Sequence, residues 1–200
     1  MNSSIKLPFS IKFILIFLLL SFESFAAEER QIVIGSDEAK IKIKIFSSHT
    51  CPHCANFHTQ VVPKIKENYV KTGQVQLIFI DFPLDEAALN ASILLHCLNK
   101  EKQLVFLDEI YISQTKWTTG SNIKDINKNL KKIAKNYGMT EDKFEKCLLD
   151  VKISDKILNK RIEAHRKYAI DSTPTIIINE KKLEGSKNFE NIKKKIEKII

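Results

Sequence analysis

Isoleucine and lysine alternate from Ile41 to Phe46, with Ile41, Ile43 and Ile45 set against Lys42 and Lys44. That two-residue period marks a sheet strand with one buried face. A shorter strand is expected before it, from Gln31 to Ile34, and Ser47-Ser48-His49-Thr50 ends the second one. From Pro52 to about Tyr69 the period becomes helical, carried by Phe57, Val61, Val62 and Ile65, with Pro63 expected to kink the helix midway. Pro52 suits a first helical turn, where its missing N–H leaves no bond unmade. Val75 to Ile80 is a dense apolar run bounded by Asp81 and Pro83, and reads as a buried strand.

From Asp85 to about Ile170 the pattern is helical almost throughout: Ala87 to Asn99, Gln103 to Ser113, Ile123 to Tyr137, Glu141 to Asp150 and Ile153 to Tyr168. Gly138 suits the position after the third of these, and Thr140 suits the N-cap of the fourth. Strand character returns at Thr175 to Ile178, after Asp171-Ser172-Thr173-Pro174. A short strand near Lys182 and Leu183, a turn at Gly185 and an amphipathic helix from Phe189 to Ile200 follow. The order predicts an α/β fold in which a helical layer, residues 85–170, is inserted into a sheet.

The amino terminus carries Lys6 and Lys12, an unbroken apolar run from Phe13 to Leu20, and then Ser24-Phe25-Ala26, a small-x-small pattern suited to signal peptidase. Residues 1–26 therefore read as a secretory signal, and residues 27–200 as one domain. The run is short of the roughly 20 residues that a membrane-spanning helix needs; an uncleaved anchor reaching Phe25 is the alternative. The expected location is the periplasm. All four cysteines follow the signal, and an oxidising compartment favours their pairing. The formal charge of +8 is carried almost wholly by scattered lysines, which fits a solvated basic surface and argues against nucleic-acid binding.

Cys51-Pro52-His53-Cys54 is the stretch that carries chemistry. Two thiols in C-x-x-C spacing at a helix start can alternate between dithiol and disulfide. Unpaired N–H groups and the positive end of the helix dipole favour a thiolate at Cys51, and His53 adds a positive charge or a hydrogen bond. Stabilising the reduced form makes such a couple a better oxidant. Cys51 is then the attacking and attacked sulfur, and Cys54, one turn inside, resolves mixed disulfides. Other readings of the motif fare worse. Cys97 and Cys147 lack the paired spacing of a second zinc half-site, even with His53 or His58 drawn in as ligands. Covalent c-type haem needs a histidine where Ala55 stands. No metal is expected, and no cofactor beyond the redox-active Cys51–Cys54 disulfide. His96 and His165 read as ordinary helix histidines, and Trp117 as a core or groove residue.

The Cys51-Pro52-His53-Cys54 tetrapeptide resembles that of the DsbA-like thiol:disulfide oxidoreductases, exported members of the thioredoxin superfamily. Asp81-Phe82-Pro83-Leu84, Leu89-Asn90 leading to Cys97, Phe144-Glu145-Lys146-Cys147 and Thr173-Pro174-Thr175 extend the resemblance over nearly the whole chain after the signal. It implies a thioredoxin-like fold with a helical insertion. It also implies a cis bond before Pro174, with the backbone of Thr173 exposed so that a substrate segment can align beside it. Unfolded or reduced exported proteins would be the substrates and a DsbB-like, quinone-linked membrane oxidase the partner, with the protein acting as a monomer. Related proteins often carry a disulfide like Cys97–Cys147, which would contribute roughly 4 kcal/mol by chain-entropy reasoning; two free cysteines serving as small apolar residues is the alternative.

Two positions depart from the family. A buried acid usually stands six residues before the first cysteine; here that residue is Ile45, so another group or water must handle the Cys54 proton. Glycine often follows the position of Asn179, where this chain has Glu180. Oxidase leads the redox readings. Isomerase or reductase activity stays open through Thr173, and a non-catalytic client-binding chaperone is the reading from a different class.

Overall fold

β2 (Ile41–Ser47) is the middle strand of a five-stranded sheet, flanked by β3 (Val75–Asp81) in parallel and β4 (Thr175–Ile178) in antiparallel pairing. β1 (Ile32–Ile34) adds antiparallel to β3 at one edge, and β5 (Lys181–Lys182) antiparallel to β4 at the other. The computed structural model describes residues 31–200. The signal expected over residues 1–26 and the first residues of the expected domain lie outside them. Among the described residues no helix is long and apolar enough to cross a membrane.

The isoleucine–lysine alternation does in β2 what its period predicts. Ile41, Ile43 and Ile45 are buried with Phe57, Val61, Ile65, Ile176, Ile178, Ile192 and Ile196 on one face of the sheet. Phe46 and Ile177 pack on the other face with Phe82, Ala164 and Ile170. Parallel β2 and β3 need a crossover, and a helical segment, α1, supplies it over residues 52–70. Pro63 does not end that helix. Lacking an N–H, it cannot donate to the preceding turn, and the stretch before it, Phe57–Val61, is wound as a π-helix in which the Val62 N–H reaches the Phe57 carbonyl.

Between β3 and β4 lies the inserted layer: α2 (Glu86–Cys97), α3 (Lys100–Ile112), α4 (Gln114–Trp117), α5 (Ile123–Asn136), α6 (Glu141–Leu148) and α7 (Val151–Tyr168). α4 is an extra turn with too few residues to show a period. α2 is buried along most of its length, and its Ala91, Leu94 and Leu95 share a core with Phe106, Trp117, Leu130 and Phe144. Side-chain caps set the starts of these helices, Asp85 for α2, Asn122 for α5, Thr140 for α6 and Asp150 for α7. Cys97, at the end of α2, is disulfide-bonded to Cys147 of α6. α8 (Phe189–Glu197) closes the chain against the sheet through Ile192 and Ile196.

Candidate active site

The site is assembled where β2 runs out. Phe82 N–H donates to the Ser47 carbonyl at 2.8 Å, Leu84 N–H to the Ser48 hydroxyl at 3.3 Å, and the chain then turns through His49 and Thr50 into α1. Cys51 is the N-cap of that helix, in extended conformation, and Pro52 takes the first helical position. The Cys51 carbonyl accepts the N–H groups of Cys54 and Ala55 at 3.0 and 3.1 Å. Three bonds to the insertion fix the turn from outside. Gln114 of α4 donates its amide to the carbonyls of both His49 and Cys51, at 2.8 and 3.0 Å. The Thr50 hydroxyl meets the carboxylate of Asp85, the cap of α2, at 2.6 Å.

The two thiols differ sharply. Cys51 is partly exposed, and its sulfur lies 3.3 Å from the Thr173 carbonyl. Cys54 is 1% exposed. Burial pushes the Cys54 thiol up to about 12; the Thr173 hydroxyl pulls it back, the Cys51 sulfur pushes it further up, and the Ser48 N–H again opposes. The peptide bond from Thr173 to Pro174 is cis. Beside the cysteines runs a groove of about 370 Å3, bounded by His53, Asn56 and Phe57 of α1, by Ser172, Thr173 and Pro174, and by Ser186, Lys187 and Asn188 before α8. His53 is exposed at its edge.

Behind the turn is a polar cluster in an otherwise apolar region. Asp81, the last residue of β3, accepts from His49 Nε2 at 2.9 Å, from the Ser92 hydroxyl at 2.9 Å and, through its other oxygen, from His96 Nε2 at 2.6 Å. Burial alone would raise the Asp81 carboxyl, but its bonds to His49 and His96 outweigh this and hold it well below the usual carboxylate range. The His49 ring lies tilted against Tyr111, 5.4 Å between centroids, and Tyr111 also lies 4.6 Å from His58, itself bonded to Asp108 at 2.7 Å. Burial, then the charges of Cys54 and Asp81, push the Tyr111 phenol well above its usual value, against a hydrogen bond to Ser47.

The comparisons match this geometry. The family model described as Thioredoxin covers residues 27–198. Alpha-DsbA1 of Wolbachia pipientis superposes with a TM-score of 0.77 at 34% identity, over 84% of this chain and 90% of its own. The chain is a DsbA-like member of the thioredoxin family. Among curated relatives, a "Putative protein-disulfide oxidoreductase" of Rickettsia bellii is 28% identical over 88% of this chain and 67% of its own length. A "Probable disulfide bond formation protein D" of Bacillus anthracis is 29% identical over 89% and 82%. The DsbA-like chain is accordingly a protein-disulfide oxidoreductase, with the thioredoxin-like fold and helical insertion expected of it.

Within this DsbA-like frame, C-x-x-C spacing alone singles out Cys51 and Cys54, and the structure brings Pro52, His53, Thr173 and Pro174 around them. Cys97 and Cys147 are away from the site, in the insertion. His49, Asp81, His96, Tyr111 and Gln114 are brought to the rear of the site without having been assigned to it from sequence. One signal was available: Asp81 is an acid that ends the apolar run of β3. Ile45 is 1% exposed and apolar, so the DsbA-like position for a buried acid offers no proton acceptor here. Glu180, at φ +66°, occupies a left-handed turn position that favours glycine. Its carboxylate is bonded to Lys44, to the Tyr168 hydroxyl at 2.6 Å and to Lys167 at 2.7 Å.

Proposed function

We propose that the protein introduces disulfides into reduced exported proteins, with Cys51 as nucleophile, Cys54 as resolver, and the backbone of Thr173 and Pro174 as the rest for an extended substrate segment. A substrate thiolate attacks the Cys51 sulfur of the Cys51–Cys54 disulfide, and Cys54 leaves with the electron pair and takes up a proton. A second substrate thiolate then attacks its own half of the mixed disulfide, and Cys51 leaves as thiolate. The observation that carries this reading is the asymmetry of the pair: one sulfur partly exposed and 3.3 Å from the carbonyl of Thr173, a residue that borders the groove, the other enclosed and holding its proton tightly. Pro52 and His53 support the helix start.

No cofactor is bound in this scheme. Electrons leave through a membrane partner of the DsbB-like, quinone-linked kind, and the protein works as a monomer in the periplasm after loss of residues 1–26. Cys54→Ala is expected to trap substrates on Cys51 as mixed disulfides; a client-binding chaperone would trap none. Equilibration of the Cys51–Cys54 couple with glutathione decides direction. A potential as reducing as that of thioredoxin, about −270 mV, would replace the oxidase reading with a reductase.

A further inference from the structure

The groove beside the cysteines follows one face of α1. His53, Asn56, Phe57 and Val61 border it, at the i, i+3, i+4 and i+8 spacing of residues that share a helix face. From His53 to Val61 the helix rises by about 12 Å, and an extended chain, at about 3.3 Å per residue, runs past about three or four positions over that length. Thr173 marks the end nearer the cysteines, since its carbonyl lies 3.3 Å from the Cys51 sulfur. The loop before α8 marks the other end. Phe189, the residue after that loop, has its ring 5.9 Å from the Lys64 Nζ and 6.4 Å from the Tyr69 ring, and both residues lie further along α1 than Val61. Lys187, in the loop, therefore borders the groove about three or four extended residues away from the reacting sulfur.

The lining mixes two kinds of side chain. Phe57 and Val61 are buried and supply its apolar part, while His53, Asn56, Ser186 and Lys187 are exposed around them. Among the described residues no hydrogen bond or ion pair engages the Lys187 ammonium, and no acid borders the groove. Asp171, next to the lining residue Ser172, is bonded to the Ser172 hydroxyl at 3.0 Å, and Glu190 lies beyond the loop in the first turn of α8. An unpaired cation at the edge of a partly enclosed groove attracts an anionic group entering it more strongly than one on an open face, because less water separates the two. We propose that the groove holds the part of the substrate chain that flanks the reacting cysteine, and that Lys187 selects segments with Asp or Glu about three or four residues from that cysteine. This rests on the exchange role given above to Cys51. The backbone of Thr173 and Pro174 can receive any extended chain. Lys187 adds a contact that depends on side chain, so reduced proteins with acidic flanking segments are engaged ahead of those with basic ones.

The test uses the Cys54→Ala protein with Cys51 joined to thionitrobenzoate; Cys97 and Cys147 are already paired and take no label. A single-cysteine peptide attacks the Cys51 sulfur as thiolate. The peptide–Cys51 disulfide forms, the bond to thionitrobenzoate breaks, and the coloured thiolate leaves with the electron pair, so its release reads the rate. One pair of peptides carries Glu or Lys three positions before the cysteine and a second pair three positions after it, because the groove lies to one side of Cys51. The Glu-to-Lys rate ratio is taken in this protein and again with Lys187→Glu added, so that the peptides' own thiol reactivities cancel. For one pair the ratio is expected to fall about fivefold or more at low ionic strength, and the change to shrink in high salt. Ratios that Lys187→Glu leaves unaltered in both pairs overturn the proposal and leave exchange intact. A fall of equal size in both pairs, the mark of net charge alone, overturns it as well. If no peptide releases thionitrobenzoate, the exchange reading of Cys51 falls and the proposal with it.

Discussion

The Cys51 sulfur and the Thr173 carbonyl, separated by 122 positions in the chain, lie 3.3 Å apart. The hydroxyl of the same residue is buried without a hydrogen-bond partner, and it favours the charged form of the nearby Cys54 thiol. Thr173→Val keeps the carbonyl contact to Cys51 and removes the hydroxyl. With one thiolate-supporting donor gone, the Cys54 proton should be held more tightly, and mixed disulfides on Cys51 should live several-fold longer. Acid quenching followed by mass spectrometry measures that lifetime; an unaltered lifetime would show that the hydroxyl has no part in resolution.

Gln114 closes the active-site turn from the helical layer. Replacing it by leucine would leave the carbonyls of His49 and Cys51 without their amide donor in a buried setting. The expected loss of stability is about 1–3 kcal/mol, read from urea unfolding. Exchange at Cys51 should slow as well, because that carbonyl also holds the first turn of α1.

Acid should weaken the fold through two carboxylates. Asp81 is held below its ordinary value of 3.8, and Glu180 is lowered from 4.5 to about 2 by hydrogen bonds from Lys167, Lys44 and Tyr168. A carboxyl depressed in the folded state contributes stability above its unfolded value and loses it as pH falls toward the folded one. Unfolding free energy should therefore decline from about pH 4.5 downward, and Asp81→Asn should flatten much of that decline. Glu180→Gln should flatten less, since its side chain is 53% exposed and its pairs are screened.

Joining Cys97 to Cys147 removes freedom from an unfolded segment of 50 residues. The Cys97→Ser, Cys147→Ser double variant should unfold about 2–4 kcal/mol more easily, by urea titration under non-reducing conditions. Its Cys51 chemistry should persist, because the cross-link ties α2 to α6 and touches neither thiol of the site.

Strands were the most legible part of the chain where one period acted alone. The alternation in β2 and the uninterrupted run Thr175–Ile178 each give a strand within a residue of that found. Helix ends were legible through their caps, as at Thr140. Pro63 announced a disturbance in α1 but not its form, because changing to π winding before the proline depends on the whole helix being packed. At the site, Cys51 and Cys54 stand out by spacing, and Thr173-Pro174 by resemblance. His49, Asp81 and His96 do not, since bonds spanning 32 and 15 positions leave no local pattern, and a histidine in a loop looks the same whether solvated or buried.

The cross-link between Cys97 and Cys147 also bears on how the molecule comes into being. A new chain emerges with four thiols, and it reaches its finished form only after something else has oxidised two of them. On the proposed oxidase reading, earlier copies of the same protein would be equipped for that task. Its supply would then feed on itself: a cell holding some finished protein matures the next generation quickly, whereas one that has lost all of it must wait for a slower oxidant. On the proposed oxidase reading, the cross-link in the insertion would tie each molecule's maturation to the stock of its predecessors.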